Sequence, residues 1–357
     1  MEERTKAILV NVSEDKDGEK VLKELELLAE TAGYETVATM IQRKKPDKTY
    51  YIGTGKLAEL KEAVDSLCAE AVIFDNDISG SQFNNLEKFL GVSVLDRATV
   101  ILEIFAKHAS STEGKLQVEL ARKKHSLPRV LGQGAALSRQ GGGGGGGAGA
   151  RRGAGEQQLE LDKRTIRREI RDLEQKIEKL TEERRLRRKR RINGKIKLVS
   201  IVGYTNAGKS TLMNYLTKAG VLEENKLFAT LDTTGRKLWL APGKEFVITD
   251  TVGFISRLPH EFIEAFKSTL EETKYSDLIL HVVNAESEEP EKEYEVVKDV
   301  LRSIDADQVK TLTVINKTDV SDATFLPDGD FVKISARTGK GIEELKTKIS
   351  ELLFGAE

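Results

Sequence analysis

The stretch Gly203-Tyr204-Thr205-Asn206-Ala207-Gly208-Lys209-Ser210 constrains this chain more than any other. It fits Gly-x-x-x-x-Gly-Lys-Ser/Thr without a mismatch, between the apolar run Leu198–Val202 and the helical Thr211–Leu216. Strand, glycine turn and helix in that order belong to an α/β nucleotide-binding domain. Glycines let backbone N–H groups curl around phosphates, and the helix N-terminus adds partial positive charge. Lys209 is placed to reach the β and γ phosphates, and Ser210 to ligate Mg2+.

The elements downstream follow the order such a domain requires. Lys237–Leu240 and Phe246–Thr249 read as a hairpin. Leu278–Asn284, Thr311–Asn316 and Phe331–Ile334 read as strands, and Glu261–Thr273, Glu291–Ser303 and Ile342–Leu353 as helices. Asp250-Thr251-Val252-Gly253 sits at a strand end, where its carboxylate can hold Mg2+ through water and its glycine N–H can sense a γ phosphate. Asn316-Lys317-Thr318-Asp319 is the base reader. Asp319 can accept hydrogen bonds from the guanine N1–H and exocyclic amine, whereas adenine would leave that carboxylate unpaired. Ser335-Ala336-Arg337 resembles the loop whose backbone meets the guanine oxygen. Phe228, Ala229, Thr230, Leu231 and Asp232 fall where a γ-phosphate-sensing switch belongs, and spacing leaves Thr230, Thr233 and Thr234 open as Mg2+ ligands. Trp239 reads as core.

Water activation has no obvious agent. Phe254 occupies the position after Asp-x-x-Gly where many GTPases carry a water-orienting glutamine, and a phenyl ring cannot hydrogen-bond water. Slow intrinsic turnover and partner stimulation are expected, with Lys209 stabilising transition-state charge and no side-chain base. His260 reads as exposed, and His108, His125 and His281 lack a ligand cluster for zinc.

From Ala7 to His108 short apolar runs alternate with amphipathic ones, which predicts a small, mostly parallel sheet covered by helices. Its Tyr51-Ile52-Gly53-Thr54-Gly55-Lys56 turn has some character of a phosphate site but lacks the full spacing, and an ordinary turn is the preferred reading. Asp75, Asp77 and Asp96 near strand ends read as caps and turns.

Glu113–Ser126 is helical in pattern and ended by Leu127-Pro128. Thr165–Arg191 is a longer helix whose Ile166, Ile170, Leu173, Ile177 and Leu180 form a short heptad seam. An antiparallel hairpin of the two predicts an arm, about 50 Å long at 1.5 Å per residue if the second helix starts near Gln157. The glycine-rich Gly132–Gly155 between them reads as an unstructured loop. Arg122, Lys123, Lys124, Arg129, Arg139, Arg151 and Arg152 flank or stud it, and Arg184–Arg191 is densely basic. That charge suits an RNA phosphate backbone and sets the N-terminal half apart from the acidic Glu286–Glu295.

Three segments are therefore expected: 1–112, a small α/β domain; 113–194, a helical arm with its loop at 132–155; and 195–357, the nucleotide-binding domain. The single Cys68 permits no internal disulfide, and no apolar stretch approaches the roughly 18 residues that span a bilayer. A cytoplasmic monomer with no membrane span is the expectation.

With those residues in place, the chain resembles the HflX family of ribosome-associated GTPases over nearly its whole length. The carriers are Gly203–Thr211, Phe228–Asp232, Asp250–Phe254 and Asn316–Asp319, together with Tyr51–Lys56, Glu113–Ala121 and Leu127-Pro128-Arg129. The resemblance implies a ribosome-binding α/β domain with a helical arm, then a Ras-like P-loop G domain. It also implies GTP and GDP as ligands, Thr230 as the switch Mg2+ ligand, a phenylalanine after Asp-x-x-Gly, and the large ribosomal subunit with its RNA as partner, no DNA being expected. Family members act in ribosome splitting, rescue or assembly. The alternative is a GTP-dependent switch whose basic arm meets an acidic protein or a membrane surface without RNA. Two departures stand out. Thr233 replaces the family's usual proline ahead of Gly235, and the glycine-rich linker is nearly pure glycine and alanine up to Arg151.

Overall fold

A computed structural model describes residues 4–14, 17–140, 149–193, 196–217, 235–241, 244–250, 253–255, 262, 270, 272–321 and 325–355. For 130–140, 149–159, 184, 185 and 187–193 it describes the backbone alone. The chain divides into two compact units, Met1–Lys107 with Leu116–Lys176, and His108–Lys115 with Ile177–Glu357.

The first unit is built on β1 (Thr5–Val12), α1 (Gly18–Ala32), β2 (Tyr34–Gln42), α2 (Thr54–Leu67), β3 (Ala71–Phe74), α3 (Gly80–Leu90), β4 (Ser93–Asp96) and α4 (Arg97–His108). Its sheet runs β2-β1-β3-β4 with every pairing parallel. The predicted alternation required this. β1 and β3 are continuous apolar runs, buried along nearly their whole length, as strands covered on both faces must be. A capping box starts α3, with Ser79 and Gln82 each satisfying the other's backbone.

The long helices are α5 (Thr112–Gln140) and α6 (Gly149–Asn193). Here two expectations fail. Pro128 lies inside α5 instead of ending it, and helix extends over much of the stretch read as a glycine loop, with 141–148 outside the described residues. The reason is anchorage just past the proline. Arg129 ion-pairs with buried Asp96, its guanidinium sits 4.5 Å over the Phe83 ring, and its backbone lies against Gly80. Tertiary contacts of that kind offset the one hydrogen bond a proline removes. The predicted seam on α6 does hold: Leu173 and Ile177 are buried, and Ile166, Ile170 and Leu180 are half-buried among exposed neighbours. Lys123 with Glu169 at 2.7 Å and Lys124 with Glu174 at 3.0 Å join α5 to α6. The side chains of the basic run, Leu186 apart, lie outside the described residues.

The second unit holds β5 (Lys197–Gly203), α7 (Lys209–Thr217), β6 (Gly235–Ala241), β7 (Lys244–Asp250), β8 (Leu278–Asn284), α8 (Pro290–Ser303), β9 (Thr311–Asn316), β10 (Phe331–Lys333) and α9 (Ile342–Phe354). Its sheet order is β10-β9-β8-β5-β7-β6, parallel except for the β6–β7 hairpin. β5 pairs with β7 on one side and β8 on the other, so the chain reverses its direction of travel across the sheet at β5. A crevice opens at the carboxyl end of such a strand, and ligands of open α/β sheets bind there. The predicted helix over 261–273 falls mostly outside the described residues.

Candidate functional site

The glycine loop emerges from β5 at that crevice, and its backbone explains its composition. Asn206 and Gly208 have φ of 60° and 87°, in the left-handed region. A Cβ on Gly208 would collide with the Asn316 amide, and one on Gly203 with the Val282 carbonyl oxygen of β8. The loop therefore needs glycine at both ends for room, and at Gly208 for conformation too.

α7 begins at Lys209, whose ammonium is buried and donates to the Tyr204 carbonyl at 2.8 Å. Burial pulls its pKa down to about 8, against the opposing pull of Asp250 and Glu293. This cation is desolvated and held back against its own loop, poised for a denser negative charge such as a phosphate. Ser210 Oγ donates to Asp250 Oδ2 at 3.1 Å. A hydroxyl and a carboxylate from two different motifs thus converge at the helix start.

Beyond β7, Gly253 closes over the lysine, since a Cβ there would lie 3.0 Å from Lys209 Nζ. Phe254 is buried and pinned by two backbone bonds: its N–H donates to Gly203 O at 3.1 Å, and its carbonyl accepts from Thr205 N–H at 2.7 Å. The residue at the usual glutamine position is thus fastened to the phosphate loop by main chain, with its ring in the core.

The base-reader segment extends β9. Asn316 is buried, and both ends of its amide are engaged: Nδ2 donates to Ala207 O at 2.9 Å, and Oδ1 accepts from Ala336 N–H at 2.9 Å. It is a strut between the phosphate loop and the Ser335–Arg337 loop, a role the sequence reading missed. Only the buried asparagine at a strand end hinted at it. Lys317 takes φ of 67°, and Thr318 is fixed to Ile334 O through both N–H and hydroxyl. Asp319 is fully exposed, and a hydrogen bond from Ser335 holds its carboxyl below the usual range. Its oxygens face solvent as an anion, available to donors.

Among the described residues, Gly203–Ser210, Asp250, Gly253, Asn316–Asp319 and Ser335–Arg337 line the carboxyl ends of β5, β7 and β9 and the loop after β10. Phe228, Ala229, Thr230, Leu231, Asp232, Thr251, Val252 and His260 lie outside the described residues.

Elsewhere the candidates resolve differently. The Gly53 amide donates to Gln42 Oε1 at 2.9 Å, and Tyr51 and Asp47 exchange backbone bonds, which makes 51–56 a closed turn. Asp75 is no cap; it pairs at 3.0 Å with buried Arg97, which also holds Glu24 at 2.7 Å. Asp96 does cap α4 through Thr99 N–H at 2.9 Å. Burial raises the Asp96 carboxyl, but hydrogen bonding from His125 and the Arg129 charge more than offset that and hold it well below the usual range. No described group of His, Cys, Asp and Glu could hold a metal ion. Buried His281 stacks on Tyr294 with centroids 4.5 Å apart, and burial, helped by Lys298 and Lys209, lowers its pKa to about 3. Trp239, read as core, is 64% exposed. β6 is an edge strand, so its alternate residues Leu238 and Leu240 pack inward while Trp239 turns out.

Comparison with known proteins agrees with this geometry. Residues 19–106 match the family described as GTP-binding GTPase N-terminal, 108–191 the GTP-binding GTPase middle region, and 198–317 the 50S ribosome-binding GTPase family. GTPase HflX of Caldanaerobacter subterraneus subsp. tengcongensis is 47% identical over 353 residues, covering 99% of this chain and 81% of that protein. GTPase HflX of Escherichia coli K12 is 42% identical, covering 98% and 83%. A GTP-binding protein of Sulfolobus solfataricus, solved with GDP, superposes with a TM-score of 0.52 at 26% identity over 98% of this chain and 99% of that one.

Proposed function

The chain belongs to the HflX family of GTPases and hydrolyses GTP; from that premise we propose that it is a Mg2+-dependent switch that binds the large ribosomal subunit in its GTP form and leaves on hydrolysis. The observation that carries the nucleotide half is the Asn316 strut, which sets a phosphate loop and a guanine loop at a fixed spacing. The ribosome half is supported by the 50S ribosome-binding description of the family matched by 198–317.

In this reading backbone N–H groups of 203–210 cradle the β phosphate, and Lys209 leaves the Tyr204 carbonyl for the β and γ oxygens. Moving a desolvated ammonium from a neutral carbonyl to a phosphate strengthens its interaction, because both charges then lie in low dielectric. Asp319 accepts from guanine, and Ala336 N–H lies beside the base oxygen. Ser210 and Asp250 supply hard oxygen donors that suit Mg2+, with Thr230 as the third protein ligand from the switch. Bound there, Mg2+ neutralises charge on the phosphates. Phe254 offers no proton acceptor and is fastened at both backbone ends, so no side chain of this segment orients the attacking water. Turnover is slow alone and rises when the ribosome orders the site, in splitting, rescue or assembly of subunits.

Co-sedimentation of the chain with large subunits, in a non-hydrolysable GTP analogue against GDP, tests this. Pelleting at least tenfold stronger with the analogue is expected; equal pelleting overturns the switch. GTPase rates that do not change on adding large subunits overturn the stimulation.

A further inference from the structure

β6 is the outer strand of its sheet, and its solvent side carries an unusual group. Trp239 is the only tryptophan in the chain, and it stands 64% exposed. Large aromatic surface in water is unfavourable, so an exposed indole held in one orientation needs an explanation. It is held firmly. Its Nε1–H donates to Glu245 Oε2 at 3.0 Å, and Lys237 Nζ lies 5.4 Å from the ring centroid while pairing with the same carboxylate at 2.7 Å. The ordering entropy of the ring is therefore already met before any partner arrives.

The charge around the ring identifies the partner's class. Along β6 and β7 the side chains reaching solvent include Arg236, Lys237 and Lys244 against Glu245, while Asp250 is buried. Three cations against one carboxylate around a flat aromatic face complement a nucleobase and its flanking phosphates. A protein strand adding to the β6 edge is disfavoured, because consecutive exposed Arg236 and Lys237 are the charges that protect sheet edges from such pairing. We propose that the Lys237–Trp239–Glu245 group is a stacking platform for an unpaired RNA base, a contact of the G domain separate from its nucleotide site. The kind of partner is drawn from the ribosome reading above.

The single tryptophan reports on its own site. The full chain, loaded with a non-hydrolysable GTP analogue, is titrated with mixed-sequence single-stranded RNA about ten nucleotides long while indole emission is followed. Stacking is expected to quench emission at least twofold. Trp239→Ala is expected to weaken RNA binding roughly ten- to a hundredfold, the range for loss of one base stack. Trp239→Phe retains most of the affinity, and unchanged fluorescent GTP binding by both variants shows that the fold is intact. Emission that stays unchanged at saturating RNA, or a Trp239→Ala variant that binds RNA like the parent, overturns the proposal. So does emission that responds to large subunits but not to RNA, which assigns the surface to a protein. Nucleotide-dependent pelleting of Trp239→Ala at parental strength sinks the platform and leaves the ribosome reading standing. RNA quenching without any pelleting of the parent does the reverse.

Discussion

Lys209→Met gives the sharpest test of how the phosphate site is built, because it separates stability from function. The ammonium is buried, and its pKa falls from 10.5 to about 8. At 1.36 kcal/mol per unit, holding that charge in the nucleotide-free fold costs about 3 kcal/mol. Methionine has similar length and no charge, and loses one hydrogen bond to Tyr204 O, worth about 1 kcal/mol. The nucleotide-free variant should therefore be more stable than the parent by about 2 kcal/mol. For a unit of this size that is a rise of about 4–8 °C in its melting transition. The pH dependence follows from the sign of the shift. Below pH 8 the lysine is charged in both folded and unfolded chains and the penalty is complete. As pH rises from 8 towards 10.5 the folded parent sheds the proton first, so its disadvantage shrinks. Calorimetry of both proteins from pH 7 to 10, without nucleotide and then with GDP, reads all of this. GDP should stabilise only the parent. A variant less stable than the parent at pH 7, or a gap that does not narrow with pH, would refute the burial argument.

Four further outcomes are expected. Asn316→Ala frees Ala207 O and Ala336 N–H together, and fluorescent GDP titration should show affinity falling by roughly a hundredfold, from two buried hydrogen bonds at about 1–2 kcal/mol each. Asp319→Asn exchanges an acceptor for a donor, so competition assays should show guanine preference replaced by preference for xanthine, whose 2-position bears a carbonyl. His281 is buried neutral with a pKa near 3, about three units below its ordinary value, so parental stability is present above pH 6.5 and lost as pH falls towards 3. His281→Phe should flatten that acid limb in urea titrations. Gly80→Ala would set a Cβ 2.6 Å from the Arg129 Cα, and should destabilise the N-terminal unit by about 1–3 kcal/mol and raise protease sensitivity of α5 near Pro128.

Much of this was legible in the residues because the physics is local. A phosphate loop must be glycine, lysine and hydroxyl in fixed spacing, and buried parallel strands must be unbroken apolar runs, as in Leu278–Asn284. What was illegible depends on partners distant in sequence. Pro128 reads as a stop until Asp96 and Phe83 are seen holding Arg129 beyond it. Trp239 reads as core by hydropathy, and only the position of β6 at the sheet edge turns it outward. Asn316 reads as a base contact, while its amide is committed to Ala207 and Ala336, 109 and 20 residues away.

That committed amide limits how the protein can change. Phosphate recognition and base recognition usually look like separable inventories, open to independent drift. Here a single side chain ties the geometry of one to the other, so a substitution that retunes the phosphate end also moves the base end. A lineage seeking a different nucleotide would have to alter Asn316, Ala207 and Ala336 in concert, with each single step passing through a weaker binder.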